Sequence, residues 1–216
     1  MKNKISVLLV DDHEVVRAGF KILLSVQPDI SDIFDINRGE LVSQEYVRVS
    51  PDVVVMDLSM PGIGGLETIR RLVKQDPLAK ILVYSIHDET VYVERAMQAG
   101  ASGYVSKNSA AEILADAVRE VARGEKYIEA KLLPEIDDVR KNNFAHYKDM
   151  IDLLSPREFE VFVRLAKGMT VHDISENLHL GYKTVANYST QVKAKLKANS
   201  VAEIANIAMV IGVIKP

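Results

Sequence analysis

The sequence of 216 residues contains no cysteine. Disulfide bonds, cysteine-ligated zinc sites and thiol nucleophiles are therefore excluded. The redox compartment cannot be inferred from cysteine usage, because an absence of thiols is compatible with either environment. Any chemistry in this chain must use oxygen and nitrogen side chains.

The sequence also lacks an apolar run long enough to span a bilayer. The N-terminal run of residues 5–10 stops at two aspartates, Asp11 and Asp12. This pattern indicates a buried strand rather than a signal peptide. The apolar tail after Ser200 is interrupted by Glu203 and Asn206. We therefore predict a cytoplasmic protein that has no membrane partner.

A strongly basic character is missing as well, since the formal net charge is −3. Residues 1–125 carry 14 Lys and Arg against 19 Asp and Glu, whereas residues 150–216 carry 8 against 6. An acidic first part and a mildly basic last part are compatible with a regulator whose tail meets DNA. The excess of two positive charges is too small to establish that function by itself.

Short apolar runs alternate with amphipathic helical patterns in the first part of the chain. The runs cover residues 5–10, 53–56, 81–84 and, more weakly, 103–105, with a further weak strand near residues 33–36. Runs this short and uniformly apolar are typical of strands buried on both faces of a sheet. The alternation predicts a doubly wound parallel α/β sheet, whose ligands bind at the carboxyl ends of the strands.

The periodic pattern ends after Gly124. Residues 125–149 are rich in charged and amide side chains and show no sustained period, which predicts a linker with one short helix around residues 130–136. The predicted organisation is therefore a first domain over residues 1–124, a linker over residues 125–149 and a second domain over residues 150–216.

Three helix-start patterns occur in the second domain: Ser155 with Glu158, Thr170 with Asp173, and Ser200 with Glu203. In each, Ser or Thr stands three residues before an acid, so that the two side chains can satisfy backbone N–H groups of the first turn. A short helix that contains Ile174 and Leu178 is followed by a turn over residues 179–182 and a longer helix over about residues 182–197. Two helices joined by a short turn predict a helix-turn-helix in a small all-α domain.

The predicted sheet collects acidic residues at its carboxyl edge. Asp11 and Asp12 follow one strand, Asp57 follows the next apolar run, and Ser85 and Lys107 stand at two further strand ends. Clustered carboxylates need a cation, and an all-oxygen site suits Mg²⁺. Such a site can accept a phosphoryl group as an aspartyl phosphate. Each residue alone is more often a turn or surface residue, so the interpretation depends on their joint occurrence.

The longer helix of the second domain has two distinct faces at 100° per residue. The packed face is predicted to hold Val185, Tyr188, Ser189, Val192 and Leu196. The opposite face holds Lys183, Asn187, Thr190, Gln191 and Ala194, with Lys193 and Lys195 on the flanks. Amide and hydroxyl groups can address base edges while ammonium groups meet phosphates. An ordinary polar solvent face is equally compatible with this pattern.

Four stretches resemble the receiver domain of two-component response regulators over roughly residues 4–124: Val10-Asp11-Asp12-His13, Met56-Asp57-Leu58-Ser59-Met60-Pro61-Gly62, Tyr84-Ser85 and Gly103-Tyr104-Val105-Ser106-Lys107. The resemblance implies a flavodoxin-like (βα)5 fold in which Asp57 accepts phosphate from a sensor histidine kinase. It also implies that Asp12, Asp57 and the Ser59 carbonyl bind Mg²⁺, with Asp11 acting through water. Lys107 would pair with the phosphate, and Ser85 would bond a phosphoryl oxygen while Tyr104 rotates inward.

Residues 152–211 resemble the LuxR-type helix-turn-helix through Leu154-Ser155-Pro156-Arg157-Glu158, Lys167-Gly168, Ile174-Ser175, Leu178, Lys183-Thr184-Val185 and Lys195-Leu196. A receiver joined to this domain is the arrangement of the NarL/FixJ family of transcription regulators. The MPGIGGLE stretch is similar to the GacA/UvrY branch. The resemblance implies a regulator rather than an enzyme, which binds double-stranded DNA as a homodimer when phosphorylated. The expected DNA contacts are Lys183, Thr184, Asn187, Thr190, Gln191, Lys193 and Lys195.

The second domain departs from the family at several positions. Ala186 stands where a basic residue is frequent, and Tyr188, Gly181 and Val171 replace a frequent His, Ser and Asn. The family's base contacts therefore do not all carry over to this chain.

Three alternatives stay open on the residues alone. The apolar stripe of Ile204, Ile207 and Ile211 either packs against the other helices of its domain or makes a dimer contact. A Mg²⁺-dependent phosphotransferase or phosphatase would share the acidic site, although Ser59 stands where a second carboxylate would act as acid or base. A pure protein-interaction module is the third possibility, and salt-dependent binding to duplex DNA would exclude it.

Overall fold

The computed structural model describes residues 4–133 and 147–214. These residues form two compact units, one built largely from residues 4–133 and the other from residues 147–214. The first is an α/β unit and the second is helical, which confirms the predicted fold class. Residues 134–146 of the predicted linker lie outside the described residues. No helix in the described ranges is long and apolar enough to cross a membrane.

The first unit is built on a parallel sheet with the strand order β2-β1-β3-β4-β5-β6. The strands are β1 (Ile5–Val10), β2 (Ile30–Ile36), β3 (Val53–Met56), β4 (Ile81–Ser85), β5 (Gly103–Ser106) and β6 (Tyr127–Ile128). The parallel sheet is thus confirmed, with one strand more than predicted. Strand β6 has only two residues, which is too short to produce a periodic signal in the sequence.

Helices connect successive strands, as parallel pairing requires. They are α1 (Glu14–Ser25), α2 (Val42–Val49), α3 (Gly65–Gln75), α4 (Thr90–Ala99) and α5 (Ala111–Ala122). One core joins Val7, Leu9 and Val55 of the sheet to Leu114 and Val118 of α5. The alternate strand residues, which point to the other face, are equally buried. Both faces are covered, as in a doubly wound sheet.

Helix α3 begins in contact with the backbone of Asp57, and Gly65 makes this approach possible. A Cβ atom at Gly65 would lie 2.1 Å from the carbonyl oxygen of Asp57 and 2.6 Å from the Cα atom of Leu58. Backbone atoms cannot move aside as a flexible side chain can. Gly65 therefore helps to fix the position of Asp57.

The first unit extends beyond the predicted boundary at Gly124. Strand β6 pairs with β5, with Gly103 opposite Tyr127. It is followed by a short 3-10 helix at Ala130–Leu132, and the unit continues to Leu133. This 3-10 helix occupies the described part of the short helix predicted at residues 130–136. Residues 125–133 are therefore part of the sheet domain rather than a linker.

The second unit contains four helices with defined bounds among the described residues: α6 (Pro156–Ala166), α7 (Val171–Asn177), α8 (Tyr182–Leu196) and α9 (Val201–Val210). Residues 147–152 are helical as well. The capping boxes of Ser155 and Thr170 are complete. Ser200 caps α9 by accepting the Glu203 N–H, but the Glu203 carboxylate bonds the N–H of Asn199. All three predicted helix starts are confirmed.

The core of the second unit lies between α6, α8 and α9. Phe159 and Phe162 of α6 are fully buried, as are Val185 of α8 and Ile204 of α9. Burial of each such side chain contributes about 1.5–3 kcal/mol. Gly168, with φ of +81°, follows α6 in the left-handed conformation that often ends a helix. The turn between α7 and α8 spans four residues and completes the helix-turn-helix.

Candidate functional sites

The register of the sheet brings the predicted acidic residues together. Strand β1 pairs with β3 so that Val10 lies opposite Met56, and β4 pairs with β5 so that Ser85 lies opposite Ser106. The ladder continues one residue further, because the Asp57 N–H donates to the carbonyl of Val10 at 2.8 Å. Asp57 is therefore held at the carboxyl edge of the sheet, where ligands of this architecture bind.

Lys107 lies between two of the predicted acids. Its Nζ atom is 2.5 Å from Oδ2 of Asp11 and 2.8 Å from Oδ2 of Asp57. The Lys107 N–H donates to the carbonyl of Ser85 at 2.7 Å, which ties the residue to the end of β4. The predicted grouping of Asp11, Asp57 and Lys107 thus exists in the folded chain.

Burial and charge oppose each other in this group. Asp57 is only 2% exposed, and burial raises its pKa, although the Lys107 ammonium opposes the shift. Burial alone would lower the pKa of Lys107, but Asp57 and Asp11 outweigh that effect and raise it. The lysine therefore stays charged and compensates the buried carboxylates.

The acidic edge offers ligands for a metal ion. One potential ligand atom from each of Asp11, Asp12, His13 and Asp57 lies within 4.8 Å of the others. Asp12 Oδ1 is buried and lies 3.0 Å from Nδ1 of His13. Several carboxylate oxygens in one place are the donors that Mg²⁺ prefers. The side chains present fit a magnesium site.

His13 is a member of this group that the predicted ligand set omits. Its backbone N–H donates to Asp11 Oδ1 at 2.8 Å, and its ring Nδ1 lies 3.2 Å from the same oxygen. Ser59 belongs to the predicted set, and its N–H lies 3.2 Å from Asp57 Oδ1. The available sequence signal for His13 was its position directly after the two aspartates.

Ser85 and Tyr104, the predicted switch residues, both contact the backbone of His87. Ser85 is fully buried, and its Oγ accepts a hydrogen bond from the His87 N–H at 3.3 Å. Tyr104 is also fully buried, and its hydroxyl donates to the His87 carbonyl at 2.7 Å. Tyr104 thus occupies an inward position in this structure.

The side chain of His87 joins the acidic edge to helix α4. Its Nε2 lies 3.0 Å from the Ser59 hydroxyl, and its ring stacks on Tyr92 with centroids 4.0 Å apart and planes 4° apart. The predicted site residues do not include His87, although it stands two residues after Ser85 in the sequence. Its contact with Ser59 joins residues that are 28 positions apart, so the sequence alone does not show it.

Helix α8 has the two faces predicted from its sequence. Val185, Ser189, Val192 and Leu196 are buried, whereas Tyr188 of the predicted packed face is only half-buried. The opposite face is exposed and carries Lys183, Thr184, Asn187, Thr190 and Gln191. The hydroxyl of Thr190 donates to the Ala186 carbonyl at 3.0 Å, so one of its hydrogen bonds is made within the helix. The DNA contacts of these residues stay a prediction.

Lys193 and Lys195 lie on the flanks of α8, as predicted, and both are half-buried. The Lys195 ammonium, however, lies 2.6 Å from Glu158 Oε2 and donates to the Leu153 carbonyl at 3.0 Å. It therefore joins the end of α8 to the start of α6. The helical wheel placed Lys195 on the correct flank but could not show this partner.

Ile204, Ile207 and Ile211 are buried within the second unit, with exposed fractions of 5% or less. The stripe therefore packs inside its own domain, which was the first of the two alternatives. The exposed large apolar side chains of α9 are instead Val201 and Met209. An interface on α9 would have to use this other face.

Each of the two units matches one protein family. The family described as response regulator receiver domain matches residues 7–119, and the family described as bacterial regulatory proteins, luxR family, matches residues 152–208. The chain belongs to the LuxR-type response regulators, which join a receiver to a helix-turn-helix domain and regulate transcription. It is a regulator of transcription rather than an enzyme, as the resemblance implied.

Relatives of known function match over nearly the whole chain. The transcriptional activator protein ExaE of Pseudomonas putida is 36% identical over 209 residues, which cover 97% of this chain and 98% of ExaE. The response regulator UvrY of Escherichia coli (strain K12) is 36% identical over 211 residues, which cover 95% of this chain and 94% of UvrY.

A solved structure is similar to part of the chain. The crystal structure of a LuxR-family two-component response regulator from Aurantimonas sp. SI85-9A1 is 32% identical in sequence, with a TM-score of 0.60, and the match covers 65% of this chain and 100% of that chain.

Proposed function

We propose that Asp57 accepts a phosphoryl group from a sensor histidine kinase, and that this modification controls the binding of the second unit to double-stranded DNA. The observation that carries the proposal is the position of Lys107, whose ammonium lies 2.8 Å from Asp57 and 2.5 Å from Asp11. A nucleophilic carboxylate and a cation thus meet at the carboxyl edge of a parallel sheet, as phosphoryl transfer requires.

The transfer needs one bond to form and one to break. An oxygen of Asp57 forms the bond to phosphorus while the phosphorus–nitrogen bond of a phosphohistidine breaks, and the histidine nitrogen recovers a proton. The Lys107 ammonium then pairs with the phosphoryl oxygens, which stabilises the charge that is transferred. Mg²⁺, held by Asp11, Asp12, Asp57 and the Ser59 carbonyl, would supply further neutralisation of that charge.

Helix α1 offers a surface for the kinase. Val15, Ile22 and Val26 are 85%, 69% and 72% exposed, and the exposed residues between them are the small Ala18, Gly19 and Ser25. This face has no charged side chain, and α1 begins just after the aspartates of the acidic edge. A kinase that brings its phosphohistidine to Asp57 would cover the start of α1, so that burial of this apolar face would stabilise the complex.

The exposed face of α8 would enter the major groove of DNA. Asn187 and Gln191 would address base edges, while Lys183 and Lys193 would meet phosphates. Two copies of the chain would bind two half-sites as a homodimer, with Val201 and Met209 of α9 as the apolar contact. We place this activity in the cytoplasm, where the chain meets both the kinase domain and DNA.

The phosphoryl acceptor can be tested by the intact mass of the full chain after incubation with Mg²⁺ and acetyl phosphate. We expect one phosphoryl adduct on the wild type and none on Asp57→Asn. Asp32→Asn, at an exposed aspartate of β2, is the matched control and should keep the adduct. An adduct on Asp57→Asn would overturn the assignment of the acceptor.

A further inference from the structure

Glu129 is a buried carboxylate outside the acidic edge, at the end of β6. It is only 7% exposed. Its Oε2 accepts a hydrogen bond from the Ser106 N–H at 3.0 Å, and its Oε1 accepts one from the Ser109 hydroxyl at 2.5 Å. The Lys131 ammonium lies 3.5 Å from Oε1 and donates to Ser109 Oγ at 2.7 Å. Both oxygens of this buried carboxylate therefore have hydrogen-bond partners.

The two donors that Glu129 binds stand on either side of Lys107. Residues 106–109, which we call the Lys107 loop, begin at the end of β5 and lead toward α5. The loop is closed by the Ser109 N–H, which donates to the Ser106 carbonyl at 3.2 Å. Glu129 thus holds both ends of the loop that carries the cation of the acidic edge. Hydrogen bonds to a charged acceptor are about twice as strong as neutral ones.

The backbone of Glu129 is fixed to the same strand. Its N–H donates to the carbonyl of Tyr104 at 3.1 Å, which extends the pairing of β6 with β5 by one residue. The segment that follows α5 is therefore joined both to the strand of Tyr104 and to the loop of Lys107. Leu133 is the last residue that the structure describes before the second unit.

We propose that Glu129 is a positioning residue for Lys107, so that the segment leaving the sheet domain is part of the phosphorylation site. This inference rests on the proposed function. Loss of the carboxylate leaves the Ser106 N–H and the Ser109 hydroxyl without their acceptor and frees the Lys107 loop. The ammonium then spends less time beside Asp57, and a small misplacement of such a group has a large effect on rate.

The test compares phosphorylation rates of full-length variants with acetyl phosphate at saturating Mg²⁺, followed by intact mass. We expect Glu129→Ala to lower the rate about tenfold, within the range that misplaced groups produce. Glu129→Gln keeps a carbonyl acceptor for one of the two donors, so its phosphorylation rate should lie between those of the wild type and Glu129→Ala. Glu125→Ala changes an exposed glutamate of the same segment and should keep the wild-type rate.

A double-mutant cycle with Lys107→Ala separates positioning from a general structural role. If Glu129 acts through Lys107, Glu129→Ala has no further effect on the rate of a Lys107→Ala chain. An equal slowing in both backgrounds, or a wild-type rate for Glu129→Ala alone, would overturn the inference. Should Glu129→Ala fail to fold, as judged by circular dichroism, Glu129→Gln enters the same cycle.

Different results would contradict the proposed function and the role of Glu129. If Asp57→Asn still gains the adduct, the phosphoryl acceptor is wrong. If the adduct maps to Asp57 and the Glu129 variants react like the wild type, only the role of Glu129 is wrong.

Discussion

The Tyr104 hydroxyl donates a 2.7 Å hydrogen bond to the backbone carbonyl of His87. This bond connects strand β5 to the segment between β4 and α4, and it holds a fully buried ring in place. The same segment is bonded through the His87 N–H to Ser85 at the end of β4. Ser85, His87 and Tyr104 are therefore linked by hydrogen bonds. One of them can change position alone only if one of these bonds breaks.

Tyr104→Phe removes this hydrogen bond while it keeps the buried ring. We expect the free energy of unfolding to fall by about 1 kcal/mol, since the carbonyl of His87 loses its donor. Urea unfolding followed by circular dichroism measures the change. Tyr127→Phe, at a half-buried tyrosine of β6, is the matched control. If both variants lost the same free energy of unfolding, the hydrogen bond to His87 would not be the cause of the destabilisation.

Gly65→Ala tests the contact between α3 and Asp57. A Cβ atom 2.1 Å from the Asp57 carbonyl oxygen forces the backbone to move. We expect a destabilisation of about 2–4 kcal/mol and a loss of phosphorylation by acetyl phosphate.

Gly19→Ala is the control for this substitution, because a Cβ atom at Gly19 has no neighbour within 4 Å. Gly19 lies inside α1, where alanine is the better helix former. We expect a gain in stability of about 0.5–1 kcal/mol. Thermal unfolding of both variants measures the two effects, and equal destabilisation would contradict the steric explanation.

Lys195→Met tests the ion pair inside the second unit. Burial alone would raise the pKa of Glu158, but hydrogen bonds from Lys195 and Ser155 outweigh it and hold the pKa below 4.5. A lowered folded-state pKa stabilises the unit at pH values above 4.5, and this contribution is lost as the pH falls through the folded value.

The expected loss for Lys195→Met at neutral pH is about 1 kcal/mol, because the Lys195 side chain is 37% exposed and water screens the pair. The difference from the wild type should shrink as the pH falls below 4.5. Hydrogen exchange of backbone amides in α6 and α8 measures it locally. A difference that is constant with pH would exclude the ion pair as its source.

Lys193→Met tests the predicted phosphate contact on the other flank of α8. We expect weaker binding to duplex DNA, and the slope of log affinity against log salt should decrease by about 0.9 for each phosphate that the variant no longer binds. Stability should be unchanged, in contrast to Lys195→Met. Fluorescence anisotropy with labelled DNA at several salt concentrations provides the slopes, and an unchanged slope would remove Lys193 from the interface.

The strands and the acidic edge could be predicted because their signals are local. Buried parallel strands appear as continuous apolar runs, and Asp11 and Asp57 follow such runs directly. Strand β6 could not be predicted in this way, since two residues have no period. The stripe of Ile204, Ile207 and Ile211 showed that one face of α9 is buried, but periodicity does not identify what covers it.

Side-chain contacts between distant residues were out of reach of the sequence. Glu129 lies in a segment with no periodic pattern, yet its carboxylate binds the loop of Lys107. The pair of Lys195 with Glu158 has the same origin, because the start of α6 meets the end of α8 only after the helices pack. Such contacts depend on tertiary packing rather than on local sequence.

The strand order places residues from three distant parts of the chain at one edge: Asp11, Asp57 and Lys107. Parallel pairing forms slowly, because long loops must close before their contacts are made. During synthesis Asp57 emerges from the ribosome before Lys107, because it stands earlier in the sequence. Under the proposed function, a nascent or truncated chain that ends before β5 has the nucleophile without the cation, so newly made copies would respond to the kinase only once the whole sheet has folded.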